Sequence, residues 1–283
     1  FIGMSGSGFA LGLAIATYEW MAAATLLVVA IFFLPVYLKK GIYTMPGFLF
    51  DRYDGRVRTT MAIFWLLLYV FVNLTSVLYL GALSLNTILD IPMTYSIFGL
   101  ALFAMLYSIY GGLKAVAWTD VVQVVFLIAG GLATTYIALG MVGDGDAWQG
   151  LLTLKNEVPG HFSMILSKGE MMVADGKGGM RDAYLDLPGL SVLIGGMWIT
   201  NLSYWGFNQY ITQRALGADL ETARKGLLFA GFLKLMMPVI VLLPGIAAFV
   251  LHSQGQLQQE MQKDGAVIAD QAYSAILGFL QLL

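Results

Sequence analysis

Residues 226–251 read GLLFAGFLKLMMPVIVLLPGIAAFVL, an apolar stretch in which Lys234 is the only charged residue. A membrane-spanning helix needs about 20 such residues, and a lysine near its middle costs roughly 2.5–3.5 kcal/mol to insert. A second charge, Glu19, lies inside another apolar stretch at residues 11–38. Opposite charges on two different spans indicate a polar cavity inside a helical membrane protein, and such a cavity is typical of proteins that carry a solute across.

The composition of the whole chain supports a membrane protein and excludes several other classes. Of its 283 residues, 59% are hydrophobic and 11% are charged, against about 45–50% and 25% in soluble domains. The net charge of −2 offers no basic surface for nucleic acid, and the absence of cysteine excludes disulfides and thiolate metal sites. No metal site is expected within this chain, since its two histidines, His161 and His252, fall in predicted loops. No nucleophile paired with a base is visible, so an enzyme is not expected.

Six stretches are long and apolar enough to be full spans, which predicts an all-α integral membrane protein. A seventh, partial helix precedes Gly8. The chain begins with Phe1, as if a helix were already under way, and it looks truncated at both ends. The predicted full spans are residues 12–38, 60–86, 95–112, 120–142, 189–213 and 226–251.

The distribution of basic residues gives the expected orientation. Nine of the fifteen lysines and arginines fall in the segments 39–59, 113–119 and 214–225, which lie on one side if six spans alternate. Because basic loops stay in the cytoplasm, these three segments are predicted to be cytoplasmic. The segments 143–188 and 252–283 are then extracellular, and the first of them is expected to contain a short surface helix near residues 147–154.

One face of the span at residues 189–213 is polar and aromatic. Its five hydrogen-bonding side chains are spaced as neighbours on an ideal helix, and glycines interrupt the apolar run before and among them. Glycine-interrupted helices at mid-membrane are typical of transporter binding sites; the alternative is a helix whose amides bond to neighbouring helices in a bundle. The five residues are Asn201, Tyr204, Trp205, Asn208 and Thr212.

Three ionisable residues within or at the ends of spans have two readings each. Lys234 either faces a cavity or extends its side chain to the cytoplasmic interface. Glu19 either pairs with Lys234, directly or through a polar ligand, or lies just below the headgroups. Asp120 either is a helix N-terminal carboxylate favoured by the helix dipole or serves as a stopping point for a cation on its way to the cytoplasm.

Six motifs, in this order along the chain, resemble the solute:sodium symporter family, and most closely its bacterial sodium/galactose and mammalian sodium/glucose members. The resemblance covers most of residues 1–252 and is weakest at 143–188. The motifs are FIGMSGSG (1–8), IATYEWM (15–21), VNLTSVLYLG (72–81), YSIYGGLKAVAWTDVVQVVF (107–126), NLSYWGFNQYITQR (201–214) and FLKLMMPVIVLLPGIAAFV (232–250).

The resemblance implies a leucine-transporter-like inverted five-plus-five helix repeat, present here only in part. Residues 1–142 would be the latter part of the first repeat, and residues 189–251 the first two helices of the second. Residues 143–188 would be an extracellular loop, and residues 252–283 a further extracellular segment.

The resemblance also assigns roles to particular residues. Substrate-binding positions match Glu19, Asn201, Lys234 and Tyr204, and Asp120 matches a residue implicated in the exit of sodium. Ala22 departs from the galactose symporter, which has a serine there. Most of the sodium site would lie outside this chain. The expected gate residues are Met4, Tyr18, Tyr204 and Trp205.

These matches imply a sodium-driven symporter of a galactose- or glucose-like hexose that works by alternating access, with Na⁺ as the coupling ion. Two alternatives remain open. One is a symporter of the same family for another solute, such as inositol, sialic acid or an amino acid. The other is a membrane sensor or channel on the same scaffold. The expected location is the lipid bilayer of a bacterial inner membrane.

Overall fold

The structure, a computed structural model, describes residues 2–174, 179–187, 189–263 and 266–282, and helices dominate these ranges. The α-helices are α1 (Ile2–Leu11), α2 (Ala16–Val28), α3 (Leu34–Lys40), α4 (Met45–Arg52), α5 (Gly55–Leu68), α6 (Thr75–Leu89), α7 (Met93–Val142), α8 (Ala147–Glu157), α9 (Gly189–Ile194), α10 (Gly196–Leu202), α11 (Gln209–Leu216), α12 (Leu220–Ser253), α13 (Gln258–Met261) and α14 (Ala272–Leu282).

Shorter elements join or interrupt these helices. Three π-helical segments occur at Val29–Phe33, Tyr69–Leu74 and Ser203–Phe207 within the described ranges. Turns of 3₁₀-helix occur at Gly12–Ile15, Pro159–Phe162, Ala183–Leu185 and Ala269–Gln271. Two antiparallel hairpins pair β1 (Met172–Ala174) with β2 (Met180–Asp182), and β3 (Gln262–Lys263) with β4 (Ala266–Val267).

Five helical runs among the described residues are long and apolar enough to cross a membrane, which confirms the all-α membrane class. A sixth candidate is a helix pair bent by 82° at Gly195. Every predicted span falls on one of these six. The five unbroken runs are Ile2–Lys40, Gly55–Leu89, Met93–Gly112, Lys114–Val142 and Leu220–Ser253.

The basic segments predicted to be loops, 113–119, 214–225 and 39–59, are all mostly helical, so that part of the prediction is wrong. Gly112 adopts φ 55° and ψ −156°, which kinks α7, and the next helical stretch already begins at Lys114. In the second segment, the Asp219 carboxylate accepts a hydrogen bond from the Thr222 amide and caps α12. Polar first turns of this kind carry no apolar signal, and the sequence pattern therefore places the helix starts too late.

The chain divides into two compact units. The first comprises the described residues of Phe1–Ile15, Thr75–Asp186 and Pro238–Leu283. Its core joins Phe9 of α1 to Leu139 of α7, Leu154 of α8 and Leu251 of α12. The predicted helix near residues 147–154 is present as α8, capped by Asp146, and its face with Leu154 is buried in this core.

His161 fastens a 3₁₀ turn to α1 within the first unit. Gly12 adopts φ 64° and ends the regular helix there. The Nε2 atom of His161 lies 3.1 Å from the Phe9 carbonyl oxygen, at hydrogen-bond distance, and its ring centroid lies 4.3 Å from that of Phe249. Burial lowers the pKa of His161, although the Phe9 carbonyl partly opposes this shift.

The lowered pKa of His161 predicts a loss of stability in acid. Because the folded protein binds a proton at this site less readily than the unfolded chain, the stabilisation is complete above pH 6.5 and is lost as the pH falls below that value. We expect the melting temperature of the full-length protein to fall more steeply between pH 7 and pH 5 than that of His161→Gln, which keeps a donor but cannot be protonated. His252 is present in both proteins, so equal slopes would contradict the prediction.

The second unit comprises Ala16–Leu74 and the described residues of Leu187–Met237. One buried cluster joins Leu34 and Tyr37 of α3 to Leu216 of α11 and Ala223 of α12. The amide of Met45, at the start of α4, donates to the Gln209 side-chain oxygen across 2.7 Å. These contacts join α3, α4, α11 and the first part of α12 in the unit that holds the polar residues described next.

Candidate functional site

The polar span is broken twice, and the breaks position its side chains. Gly195 adopts φ −92° and ψ −97°, outside the helical range, and separates α9 from α10. After α10 the chain forms the π segment Ser203–Phe207 and then the extended residue Asn208, before α11 begins. Irregular backbone of this kind inside a span frees polar groups and is tolerated where it lines a cavity.

Lys234 and Glu19 form an ion pair within the second unit. The Nζ atom of Lys234 lies 2.6 Å from Glu19 Oε2, and the two side chains are 23% and 12% exposed. Glu19 is in the first turn of α2, where the helix dipole favours a carboxylate. The pairing expected between the two charges is therefore present and direct.

The contacts of Lys234 favour the cavity over the snorkelling alternative. Lys234 lies eight residues after Gly226, where its apolar stretch begins, which is about 12 Å at 1.5 Å per residue and a strained reach for a lysine side chain. Its ammonium group is instead paired with Glu19 and lies 5.1 Å from the centroid of the Trp205 ring, a cation–π contact.

A cavity of about 330 Å³ opens beside this ion pair, within the range of roughly 300–1,000 Å³ that is usual for small-molecule sites. Glu19 Oε2 is buried, and among the described residues none donates a hydrogen bond to it, since its contact with Lys234 is an ion pair without hydrogen-bond geometry. A carboxylate with unused acceptor capacity suits a ligand that carries hydroxyl groups. The lining residues are Tyr18, Glu19, Ala22, Thr200, Asn201, Tyr204, Trp205 and Lys234.

Most of the predicted site residues lie around this one cavity. Glu19, Asn201, Lys234 and Tyr204 line it together, as do the expected gate residues Tyr18 and Trp205. The Asn201 amide donates to the Met197 carbonyl one turn earlier, which fixes it beside the cavity. Whether these residues bind a substrate or act as gates stays a prediction.

Two members of the predicted polar stripe lie elsewhere. Asn208 accepts a hydrogen bond from the Tyr69 hydroxyl at 2.6 Å, and the Thr212 hydroxyl donates to the Asn208 carbonyl at 3.0 Å. Both side chains are buried away from the cavity. The prediction that all five side chains share one helical face is wrong for these two residues. The π segment adds a residue to one turn, and Asn208 is extended rather than helical.

Met4 and Asp120 belong to the first unit, and their expected roles stay predictions. Met4 lies in α1. Asp120 lies six residues beyond Lys114, inside a continuous helical stretch rather than in its first turn. The expectation that Asp120 opens a helix is therefore wrong, because the helix begins earlier than its apolar residues indicate.

Two features of the site were missed at the level of sequence. Thr200 lines the cavity, and its hydroxyl donates to the Gly196 carbonyl at 3.1 Å. Its spacing of four residues from Tyr204 is the signal that could have found it. The contact of Trp205 with Lys234 had no sequence signal, since the two residues are on different helices. Among the described residues no group of three histidine, aspartate or glutamate side chains could hold a metal ion.

Nearly the whole sequence is similar to known sodium-coupled transporters. Residues 1–274 match the sequence profile of the "Sodium:solute symporter family". A sodium/glucose cotransporter of Vibrio parahaemolyticus is 52% identical over 288 residues, which cover 99% of this chain and 51% of the relative. The sodium/myo-inositol cotransporter 2 of Sus scrofa is 32% identical over 294 residues, covering 100% of this chain and 42% of the relative.

A solved structure gives the corresponding likeness in three dimensions. The substrate-bound, outward-open structure of a Na⁺-coupled sialic acid symporter superposes with a TM-score of 0.74 at 20% identity, covering 99% of this chain and 58% of that one. This likeness confirms the expected fold class, a leucine-transporter-like repeat present in part. The chain spans about half the length of the curated relatives it matches. The boundaries of the repeats stay predictions.

Proposed function

This chain belongs to the sodium:solute symporter family, whose members are transporters and not enzymes, and we propose that it forms part of a sodium-driven symporter of a neutral hexose such as galactose or glucose. The observation that carries the proposal is the Lys234–Glu19 pair at the wall of a cavity that also contains Asn201 and Tyr204. The 52% identity to a sodium/glucose cotransporter supports the same substrate class.

The chemistry of the cavity suits a neutral polyol better than an anion. Each sugar hydroxyl both donates and accepts, and the site offers ammonium donors, carboxylate acceptors and an amide that does both. Because Glu19 lies 2.6 Å from Lys234, the lysine charge is already balanced and a substrate carboxylate would add an unpaired negative charge. Tyr204 and Trp205 supply aromatic surface for the apolar face of a pyranose ring, with ring centroids 5.1 Å apart.

Transport then follows from differential binding. Sodium binds first and favours the state that accepts sugar; the sugar occupies Glu19, Asn201 and Lys234, and Tyr204 moves aside to release it on the other face. Coupling requires only that sodium and sugar favour the same state. Most sodium ligands are expected outside this chain, and Asp120 is a candidate for the ion's exit path. On this proposal, segments 39–59, 113–119 and 214–225 face the cytoplasm of a bacterial cell.

One alternative substrate has specific support. The inositol cotransporter of Sus scrofa is 32% identical over the whole chain, and inositol, like a hexose, is a neutral ring of hydroxyl groups. Ala22 lines the cavity without a hydroxyl, at the position where the sequence resemblance implies a serine in the galactose symporter. The loss of that group changes the hydrogen bonds available to one face of the ring.

Uptake into proteoliposomes tests the proposal. The full-length protein is reconstituted, and the accumulation of labelled galactose, glucose and myo-inositol is measured under an inward sodium gradient and with potassium substituted. We expect one of the hexoses to accumulate only with sodium. Equal uptake in potassium would contradict sodium coupling, and sodium-dependent uptake of inositol alone would contradict the hexose assignment.

A further inference from the structure

We propose that Tyr37 and Tyr69 are positioning residues for transport, because their hydroxyl groups hold the break in the helix that carries Tyr204 and Trp205. The inference rests on the proposed function and adds to it a control over how readily the cavity wall moves. Neither tyrosine lines the cavity. Both act on residues 206–208, directly after the two cavity aromatics.

The backbone at this break cannot satisfy all of its own hydrogen bonds. Asn208 adopts φ −76° and ψ 117°, so it ends the π segment in an extended conformation. The last carbonyl groups of a helical segment have no partner within that segment. In the interior of a membrane protein they need partners from neighbouring helices, since each unsatisfied group is costly there.

Tyr37 supplies such a partner to a backbone carbonyl, and Tyr69, from a different helical run, bonds the side chain of Asn208. The Tyr37 hydroxyl, on the buried side chain of α3, donates to the Gly206 carbonyl at 3.0 Å. The Tyr69 hydroxyl donates to the Asn208 side-chain oxygen at 2.6 Å. Asn208 is 3% exposed, so this contact lies in a region from which water is largely excluded.

The three π-helical segments of the second unit meet at the same place. Gly206 lies inside Ser203–Phe207, and a Cβ atom at this glycine would be 3.4 Å from the Val29 side chain, within the segment Val29–Phe33. Tyr69 is the first residue of the third segment, Tyr69–Leu74. The ring of Phe207 also packs edge-on against that of Phe33, with centroids 5.4 Å apart.

This convergence favours a movable junction over a static one. A π turn differs from an α turn by one residue and by the carbonyl that each amide selects, and such turns occur frequently at functional sites. A shift at Ser203–Phe207 necessarily moves Tyr204 and Trp205, which belong to it. The hydroxyls of Tyr37 and Tyr69 therefore each restrain the segment Ser203–Phe207 and the adjoining Asn208 through one hydrogen bond, and removing either hydroxyl makes the shift easier. The variants that lack one of these hydroxyls, Tyr37→Phe and Tyr69→Phe, are called the latch variants.

The test uses conservative variants and a reporter that needs no substrate. Tyr37→Phe and Tyr69→Phe each remove one hydroxyl, and Tyr53→Phe, at a side chain that is 63% exposed, is the matched control. Each is made in full-length protein in which any cysteine outside this chain has been replaced, with Ala215→Cys, in a small gap lined also by Tyr37 and Trp205, as the single cysteine; this chain contributes none. We expect cysteine labelling by a soluble maleimide to rise about fivefold in both latch variants, as the loss of about one net hydrogen bond implies, and to be unchanged in Tyr53→Phe.

Transport kinetics separate a positioning role from a structural one. In both latch variants we expect the maximal sodium-driven uptake rate to change several-fold while the KM for sugar stays within about twofold; a structural defect would reduce the yield of folded protein instead. The two hydroxyls restrain the same segment, so the uptake rate and the labelling of the double variant should differ little from those of the more affected single variant.

Unchanged labelling in folded latch variants would overturn the proposal. Absence of uptake in the unmodified protein would overturn the proposed function instead. If Tyr37→Phe does not fold, Tyr69→Phe alone decides.

Discussion

Lys234→Ala is expected to reduce sodium-driven sugar uptake by about 100-fold or more. The variant removes a donor from the cavity and leaves the Glu19 carboxylate, which is 12% exposed, without its counter-charge. Breaking a buried ion pair from one side costs roughly 3–5 kcal/mol, because the remaining charge stays desolvated. The measurement is the initial rate of labelled galactose and glucose uptake into proteoliposomes under an inward sodium gradient.

Two further variants separate the loss of substrate binding from the loss of folding. Lys234→Met combined with Glu19→Gln removes both charges and leaves no unpaired one, so we expect near-normal thermal stability but no uptake. Lys234→Arg keeps the charge but replaces a compact ammonium with a planar fork, and we expect partial activity with a raised KM. If the double variant takes up sugar at a rate within a few-fold of that of the unmodified protein, this ion pair does not bind the substrate.

Gly12→Ala is expected to destabilise the protein by about 2–5 kcal/mol. Gly12 adopts φ 64°, a conformation that costs an alanine roughly 1–2 kcal/mol. A Cβ atom there would also lie 2.2 Å from the His161 carbonyl oxygen, and overpacking of this kind typically adds about 1–3 kcal/mol. We expect a lower melting temperature of the full-length protein in detergent, followed by tryptophan fluorescence.

Gly140→Ala is the matched control for Gly12→Ala. Gly140 lies inside α7, and a Cβ atom added to it meets no described atom within 4 Å. Alanine in a helix interior is favoured over glycine by about 0.5–1 kcal/mol, so the melting temperature should stay the same or rise slightly. Equal melting temperatures for the two variants would mean that the contact between Gly12 and His161 does not stabilise the fold.

The apolar spans and the charges buried within them could be predicted from the sequence because both follow from local composition. A run such as residues 226–251 must leave water wherever it lies in the fold, and Lys234 must find polar surroundings once it is there. The start of each span was placed less well. Asp120 shows why: polar residues continue a helix beyond its apolar core, and their side chains give no periodic signal.

The arrangement of the polar stripe needed the tertiary structure. Asn201 and Tyr204 line the cavity as their spacing indicates, whereas Asn208 and Thr212 do not. The difference arises at the π segment Ser203–Phe207, where each amide chooses between carbonyl partners that are four or five residues away. These choices are close in energy locally, and the Tyr37 hydroxyl on the Gly206 carbonyl contributes to the outcome from a residue 169 positions distant in the chain.

The sequence by itself therefore determined the membrane class, the approximate spans, the family resemblance and the identity of the residues most expensive to bury. These properties depend on single residues and their near neighbours, so no knowledge of packing is required. Only the tertiary structure decided that Lys234 pairs directly with Glu19 and rests on Trp205. Such contacts are set by the distance and rotation between helices, which depend on the packing of side chains far apart in the chain.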